Sequence, residues 1–327
     1  MGLFNQGAAP MGILDRALTG NIYVEQSLAY MNEGDKDGYN VLKWDIQNVL
    51  EAYSDNPTFA DGHQKANYKR ALVKVQSKEK FNPASYEQFW RSYQPDGLFI
   101  WQELPTEVQS TMENLFLGSS VEATEDALTN GSATIVGLIP QYLSQDYTVL
   151  NGTSPTSTQI VENTTIAFRA NAGGTGDNLG VALTTANIFD KIEILIRNQT
   201  TAMRKRKNRK FMINNATADI IGEAQRLNLN YKGVDVTEEG ILRYAGYEFV
   251  QNTSFPDNTI LFCSMSGDMK TDAYQLGTST TADFNNLHVA RISQFSAEYG
   301  MLLTFALDIF VVRPEESCFY SDQATIA

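Results

Sequence analysis

The sequence predicts an α+β fold, and three observations predict it. Residues 188–263 alternate between helical and strand patterns in the order helix, strand, helix, strand, strand. Pro105 precedes a polar and apolar stretch that reads as one long helix to about Thr129. Residues 301–312 form a nearly continuous apolar run, interrupted by Asp308, which is typical of a buried strand. Because helices and strands are mixed along the chain, we expect both kinds of element in one core.

The first 66 residues are predicted to form an N-terminal arm and a short helix. Residues 1 to about 37 are rich in Gly and Asn, which suits an extended arm better than a compact subdomain. Residues 39–53 carry an apolar stripe at helical spacing. The stripe consists of Leu42, Ile46, Val49, Leu50 and Tyr53. Since the chain begins at Met1, we also expect that no long N-terminal scaffold segment is removed.

Residues 67–104 are predicted to form an extended hairpin loop. Two strand-like runs, at 71–75 and 97–101, enclose a polar stretch that is rich in aromatic residues.

The long helix follows over 105–131. Pro105 suits its first turn, where no backbone N–H is needed, and Gly131 is typical of a residue that ends a helix. The predicted apolar face of this helix consists of Val108, Met112, Leu115 and Phe116.

Residues 132–286 are predicted to form a mixed α/β domain, and residues 287–327 a late strand and a C-terminal tail. The first helix of the domain has an apolar face made of Ile188, Ile192, Leu195 and Ile196. A short apolar strand follows at 211–214. The next helix has an inner side made of Ile220, Ile221, Ala224 and Leu227. Two strands, at 244–250 and 260–263, flank a turn around Pro256.

Three short stretches, 211–214, 246–250 and 255–260, resemble the central domain of the major capsid proteins of tailed double-stranded DNA bacteriophages. In that family a helix leads to such a strand, then to a helix, a Gly-containing strand, a Pro-containing turn and an apolar strand. The elements before them agree in order. The resemblance implies the tailed-phage capsid fold, with an N-terminal arm, an extended hairpin loop, a long spine helix and a mixed α/β axial domain.

The same resemblance implies a structural function. The subunit would self-assemble into hexamers and pentamers of an icosahedral shell, which encloses double-stranded DNA without sequence-specific binding. Implied partners are a portal, a scaffold and decoration proteins. The protein would be made in the cytoplasm of the bacterial host and reside in the virion capsid.

Composition limits the alternatives. The net charge of −13 argues against a protein that grips nucleic acid over a broad surface, but it fits both a shell and an acidic enzyme. Cys263 and Cys318 form neither a disulfide framework nor a zinc site. No apolar run reaches the roughly 20 residues of a membrane span. We therefore expect no membrane association.

Motifs for catalysis are weak, and we predict no catalytic residue, cofactor or metal. His63 and His288 have no metal-spaced neighbours, and we expect the first to be solvated and the second structural. Residues 33–38 resemble the first half of a calcium loop, but Trp44 occupies the position that needs Glu. The Gly-rich stretch 173–180 lacks the spacing of a dinucleotide loop and the lysine of a P-loop.

Charge is segregated along the chain in a way that favours contact between copies. The basic residues of the hairpin region are Lys69, Arg70, Lys74, Lys78 and Lys80, and the acidic residues of the long helix are Glu107, Glu113, Glu122 and Glu125. A basic loop on the acidic helix of the next copy would be a head-to-tail contact. The aromatic residues Trp90, Tyr93 and Trp101 would anchor it.

Further readings remain open from the residues alone. The basic run 204–210 either offsets the dipole of a helix C-terminus or meets packaged DNA or an acidic partner. A carbohydrate-active hydrolase would need only a pair of carboxylates, and the 38 Asp and Glu residues leave that open. An encapsulin-type compartment or a tail tube subunit is a third reading.

Overall fold

A computed structural model describes residues 21–34, 38–46, 63–82, 87–93, 106–132, 134–143, 166–227, 234–236, 242–279, 286–292 and 298–324. The helices are α1 (Ile22–Glu25), α2 (Glu87–Trp90), α3 (Thr106–Asn130), α4 (Leu138–Leu143), α5 (Ile188–Arg197), α6 (Thr201–Lys205) and α7 (Asn215–Leu227), with 3-10 turns at Gly176–Asn178 and Pro314–Glu316. The strands are β1 (Tyr30–Gly34), β2 (Tyr39–Ile46), β3 (His63–Arg70), β4 (Val73–Phe81), β5 (Phe168–Ala170), β6 (Arg209–Ile213), β7 (Val234–Val236), β8 (Leu242–Tyr244), β9 (Tyr247–Gln251), β10 (Ile260–Ser264), β11 (Tyr274–Ser279), β12 (Asn286–Arg291), β13 (Tyr299–Val311) and β14 (Cys318–Tyr320).

The strands form three sheets. The long-strand sheet has the order β1-β11-β13-β12, and β4 also pairs with β13. The seven-stranded sheet has the order β5-β14-β10-β6-β9-β8-β7. Among the described strands, the third sheet consists of the β2–β3 hairpin alone. Strand β13 organises the first sheet because it pairs with β4, β11 and β12 along its length.

Helix α3 packs along the long-strand sheet. Its residues Phe116, Leu117 and Leu128 are buried in the core that this sheet forms. The hydroxyls of Ser77 on β4 and Ser120 on α3 are hydrogen-bonded at 2.8 Å. The prediction of one long helix in this region is confirmed. Leu115, which we expected on its apolar face, is 71% exposed.

The second core lies between the seven-stranded sheet and helices α5 and α7. Ile188, Ile192 and Leu195 are fully buried there, as their spacing predicted. The ring of Phe211 stacks on Phe262, with ring centroids 4.1 Å apart. The predicted order of helix, strand, helix, strand, strand is confirmed by α5, β6, α7, β9 and β10. One detail is wrong, because Leu227 at the end of α7 is 65% exposed.

The predicted helix at 39–53 is wrong over its first half. Residues Tyr39–Ile46 form β2, which pairs antiparallel with β3 from Tyr39 opposite Arg70 to Ile46 opposite His63. Aromatic and β-branched residues in this stretch favour a strand once a partner strand supplies the hydrogen bonds. Residues 47–53 lie outside the described part of the chain.

A hairpin made of β2 and β3 precedes the predicted one. The run 71–75 belongs to the start of β4, which pairs with β13 from Val73 opposite Leu307 to Phe81 opposite Tyr299. Its expected partner, 97–101, lies outside the described residues. The prediction of a strand here is confirmed, and its pairing with 97–101 stays a prediction.

Residues 21–34 belong to the core and do not form an arm. The hydroxyl groups of Tyr23 on α1 and Thr129 on α3 are hydrogen-bonded at 2.7 Å. The next segment, β1, pairs in parallel with β11. Tyr23 and Leu28 are fully buried, which ties this segment to the long-strand sheet. Residues 1–20 of the predicted arm lie outside the described residues.

Besides the long connection from β4 to β5, two short crossovers join the two large sheets. One runs from β10 to β11 and the other from β13 to β14. The backbone N–H groups of Val312 and Arg313 both donate to the carbonyl of Ala273, at 2.8 and 2.9 Å. The two crossovers are thus hydrogen-bonded to each other. Within the described ranges, no helix has the length and apolar character that crossing a bilayer requires.

Candidate subunit-contact surface

Strand β4 presents a basic face. Along this strand side chains alternate between the helix side and the outside, as the two-residue period of a strand requires. Val73, Val75 and Ser77 are partly buried on the side of α3, whereas Lys74 and Lys78 are exposed. Lys80 is also exposed and pairs with Glu298 at 2.7 Å. The alternation places a row of cations on the outer face of the strand.

Helix α3 presents an acidic face beside it. Glu122 and Asp126 are exposed, and Glu113 is half-buried. Burial raises the pKa of the Glu113 carboxyl above its ordinary value. Glu125 is also half-buried and accepts a hydrogen bond from the backbone N–H of Ile22 at 3.3 Å. Glu107 lies in the first turn of the helix, but its side chain is outside the described part.

The basic strand and the acidic helix are neighbours within one subunit. A groove of about 680 Å³ runs between them and is lined on the strand side by Lys74 and Val75 and on the helix side by Ser120, Ala123, Thr124 and Ala127. The sequence argument considered β4 and α3 on different copies and missed that the two elements also line one groove within a subunit. The outward faces, with Lys78 on one side and Glu122 on the other, remain exposed.

Two of the predicted contact residues are buried within the subunit. Arg70 forms an ion pair with Asp308 and is 8% exposed. Trp90 is buried in the core with the long-strand sheet. Tyr93 is 49% exposed, so much of its side chain faces outward. Trp101 and the side chain of Lys69 lie outside the described residues.

A signal in the sequence pointed to the role of Arg70. Asp308 interrupts an apolar strand, and a buried carboxylate needs a partner of opposite charge. The sequence does not reveal which cation pairs with Asp308, because Arg70 is far away along the chain. The structure brings the two together where β3 ends beside β13.

Partners within the chain take up much of the basic run 204–210. Arg206 pairs with Glu316, and Lys210 lies 3.3 Å from Glu248. Arg209 hydrogen-bonds to Gln199 and lies over the ring of Tyr247. These contacts favour a structural role for the run over a nucleic-acid contact.

The motifs that resemble ligand sites have ordinary local structure. The Gly-rich stretch folds into a closed turn, in which the Asn171 N–H donates to Asn178 and the Gly180 N–H donates back to Asn171. His63 begins β3 and His288 lies on β12. Among the described residues, no group of three or more His, Cys, Asp or Glu side chains is arranged to hold a metal ion.

Comparison with solved structures identifies the fold. The capsid of an empty GTA particle matches with a TM-score of 0.54 and 13% identity, covering 94% of this chain and 97% of that chain. A chain of the Satellite phage P4 procapsid, which includes the size determination (Sid) protein, matches with a TM-score of 0.54 and 8% identity over 98% and 92%. The capsid of the native GTA particle matches with a TM-score of 0.53 and 12% identity over 99% and 93%.

No protein-family profile matches this sequence, and no curated protein matches it either. The fold is nevertheless clear, since the structural matches extend over nearly the whole of both chains. The chain has the capsid-shell fold of tailed phages and GTA particles. The sequence prediction of fold class is confirmed.

Proposed function

We propose that this chain is the major capsid protein of a tailed phage or a related particle, with a structural and non-enzymatic role. The observation that carries the proposal is the match of almost the entire chain to capsid chains of two different particles. A match confined to one sheet would be common to many functions. A match that includes the long helix and both sheets supports a shared mode of assembly.

The proposed assembly units are hexamers and pentamers of an icosahedral shell. A head-to-tail contact between different faces of identical subunits closes into a ring when the rotation permits. The exposed cations of β4, Lys74 and Lys78, would face the exposed carboxylates Glu122 and Asp126 of the next copy. Exposed charge pairs of this kind set orientation more than affinity. The exposed side chains of Leu115 and Tyr93 would add apolar contact.

The proposed cargo is double-stranded DNA, enclosed without sequence-specific binding. The net charge of −13 and the internal pairing of Arg206 and Lys210 argue against a broad DNA-gripping surface. A shell only has to surround its content. A portal, a scaffold and decoration proteins would be its partners, and the virion capsid its location.

Electron microscopy of the purified protein, with size-exclusion chromatography alongside, tests this function. We expect closed shells, rings or sheets, either alone or after addition of a candidate scaffold. DNA inside particles isolated from infected cells would distinguish a phage shell from an encapsulin-type compartment with protein cargo. A subunit that stays monomeric even with scaffold, and that cleaves glycosidic bonds, would contradict the proposal in favour of a hydrolase.

A further inference from the structure

The β2–β3 hairpin is joined to the rest of the subunit at its base. Its two strands pair with each other from Tyr39 opposite Arg70 to Ile46 opposite His63, and no further described strand extends this sheet. The residues at the base are buried against the long-strand sheet. Tyr39 and Val41 form a small apolar cluster with Phe310 and Val312 of the β13 segment. The angle of the hairpin therefore depends on contacts at this base.

An ion pair lies at the centre of the base. The guanidinium of Arg70 donates from Nε to Oδ2 of Asp308 and from Nη2 to Oδ1, the latter at 3.1 Å. The Tyr39 hydroxyl donates to the same Oδ2 at 2.8 Å. Arg70 also lies over the ring of Phe310, 4.7 Å from its centroid. Residues from both strands of the hairpin thus donate hydrogen bonds to the Asp308 carboxylate of β13.

Two glycines leave room for the residues of this ion pair and for Tyr39. Gly38 has a φ of +116°, and a Cβ atom there would lie 2.0 Å from the carbonyl oxygen of Arg70. A Cβ on Gly277 of β11 would lie 2.3 Å from the Tyr39 ring. Only glycine leaves room at these two positions. The close fit leaves little freedom for another arrangement of Tyr39 and Arg70.

We propose that Arg70, Asp308 and Tyr39 form a lock that fixes the angle of the β2–β3 hairpin to the subunit body before assembly. The three are positioning residues, since they act through the hairpin. The inference deepens the proposed function and rests on it in one respect, namely that the hairpin is a surface presented to a second copy. A fixed angle then gives every subunit in solution the same contact geometry.

The lock is sensitive to substitution of Arg70 or Asp308 because both charges are buried. An unpartnered buried charge is unfavourable, so loss of one partner favours movement of the other towards water. Arg70 is 8% exposed at the base of the hairpin, so opening of this base would bring its guanidinium further into water. Substituting either partner should release the hairpin and leave both large cores intact, since Phe211 and Leu128 lie in other clusters.

Distance measurement between two spin labels in the full-length chain tests the lock. One label is placed at Asn67→Cys on β3 and the other at Ser119→Cys on α3. Cys263 and Cys318 are buried, and burial raises the pKa of the Cys318 thiol to about 12, so both natural thiols should stay unlabelled. We expect a single narrow distance in the otherwise unaltered chain and loss of that narrow distance in Asp308→Asn and Arg70→Met.

The matched control is Arg197→Met, which removes an exposed ion pair with Asp177 and lies outside both the hairpin and the proposed contact surface. It should leave the narrow distance unchanged. If the two lock variants do not fold, Tyr39→Phe removes the hydroxyl that donates to Asp308, keeps the charge pair and should still broaden the distance. An unchanged narrow distance in every folded lock variant overturns the inference.

Electron microscopy of the same variants separates this inference from the proposed function. Released hairpins should give shells of mixed diameter or open sheets, whereas the unaltered chain and Arg197→Met should give uniform shells. Broadened distances in a protein that never assembles would support the lock and contradict the shell function. Uniform shells from Asp308→Asn with an unchanged narrow distance would contradict the lock and leave the shell function standing.

Discussion

Arg206 donates two hydrogen bonds to Glu316, from Nε to Oε2 at 2.6 Å and from Nη2 to Oε1 at 2.7 Å. Glu316 is buried, and Nη1 of the fully buried Arg313 lies 3.7 Å from its Oε1. Arg206 follows α6 in the second core, and Arg313 follows β13 of the long-strand sheet. The Glu316 carboxylate therefore contacts one cation from the second core and one from the long-strand sheet.

Substitution of Glu316 by Ala should destabilise the unassembled subunit strongly. Removal of one partner from a buried ion pair typically costs about 3–5 kcal/mol, because the remaining charge is left without compensation. Two guanidinium groups lose the Glu316 carboxylate here. Urea unfolding at neutral pH measures the change. The control is Asp177→Asn, which breaks an exposed pair with Arg197 and should cost no more than about 1 kcal/mol.

Reversal of the exposed charges on β4 should weaken assembly without unfolding the subunit. The double substitution of Lys74 and Lys78 by Glu would place carboxylates opposite the acidic face of the next copy. We expect fewer and smaller assemblies by light scattering, with an unchanged urea midpoint. Reversal of Lys205 and Lys207, which are exposed at and beyond the end of α6, makes the same charge change elsewhere and serves as the control. Equal assembly of both double variants would contradict the proposed contact.

Two glycines, one within α3 and one just after it, should respond in opposite directions to Ala. Gly118 lies in the helix, and a methyl group on its Cα would meet nothing within 4 Å beyond its chain neighbours and the backbone of its own helix, so Gly118→Ala should stabilise by up to about 1 kcal/mol. Gly131 follows the last helical residue with a φ of +86°. An Ala there would be strained, and Gly131→Ala should destabilise by about 1–2 kcal/mol. Thermal unfolding of the two variants checks both signs.

Asp272 should make stability depend on pH in the acidic range. Burial raises the pKa of its carboxyl from 3.8 to about 6, against the hydrogen bonds that it accepts from Ser266. A native pKa above the unfolded value means that the folded state holds the proton more tightly. Its contribution to stability is therefore present below about pH 4 and is lost as the pH rises to about 6.

The variant Asp272→Asn removes this titration. Relative to the unaltered chain, it should gain stability as the pH rises from about 4 to 6, on the order of 3 kcal/mol at most, since one pKa unit corresponds to about 1.4 kcal/mol. Urea unfolding of both proteins across this range measures the difference. A stability difference that stays constant with pH would show that Asp272 does not titrate in this range.

The parts of the fold that were predicted correctly have local causes. The strand at β6 is a short apolar run between two amphipathic helices, and each of these patterns is visible within a few residues. The stretch 39–46 is different, because Leu42 and Ile46 fit a helix and a strand equally well. Its pairing with 63–70 decides the outcome, and nothing within the stretch reveals that pairing.

In the contact surface, too, some residues are predictable from local pattern and others depend on distant partners. The exposed lysines of β4 follow from strand alternation once the strand is known. Arg70 is indistinguishable from its basic neighbours in the sequence, and its burial depends on Asp308 of a strand near the other end of the chain. Trp90 could belong to a core or to an interface, since both favour large aromatic side chains. Sequence reasoning assigned both residues to the surface because it counted charge and aromaticity without long-range partners.

The strand order also determines when, during synthesis, the subunit can complete its long-strand sheet. In the long-strand sheet Tyr30 pairs with Gln275, and Val73 pairs with Leu307. Ribosomes add about 5–20 residues per second, so the earliest strands wait on the order of tens of seconds for these partners. During that wait the apolar side chains of β1 and β4 have no sheet to join. Their protection in the cell would fall to chaperones, and only released, finished chains could enter a growing particle.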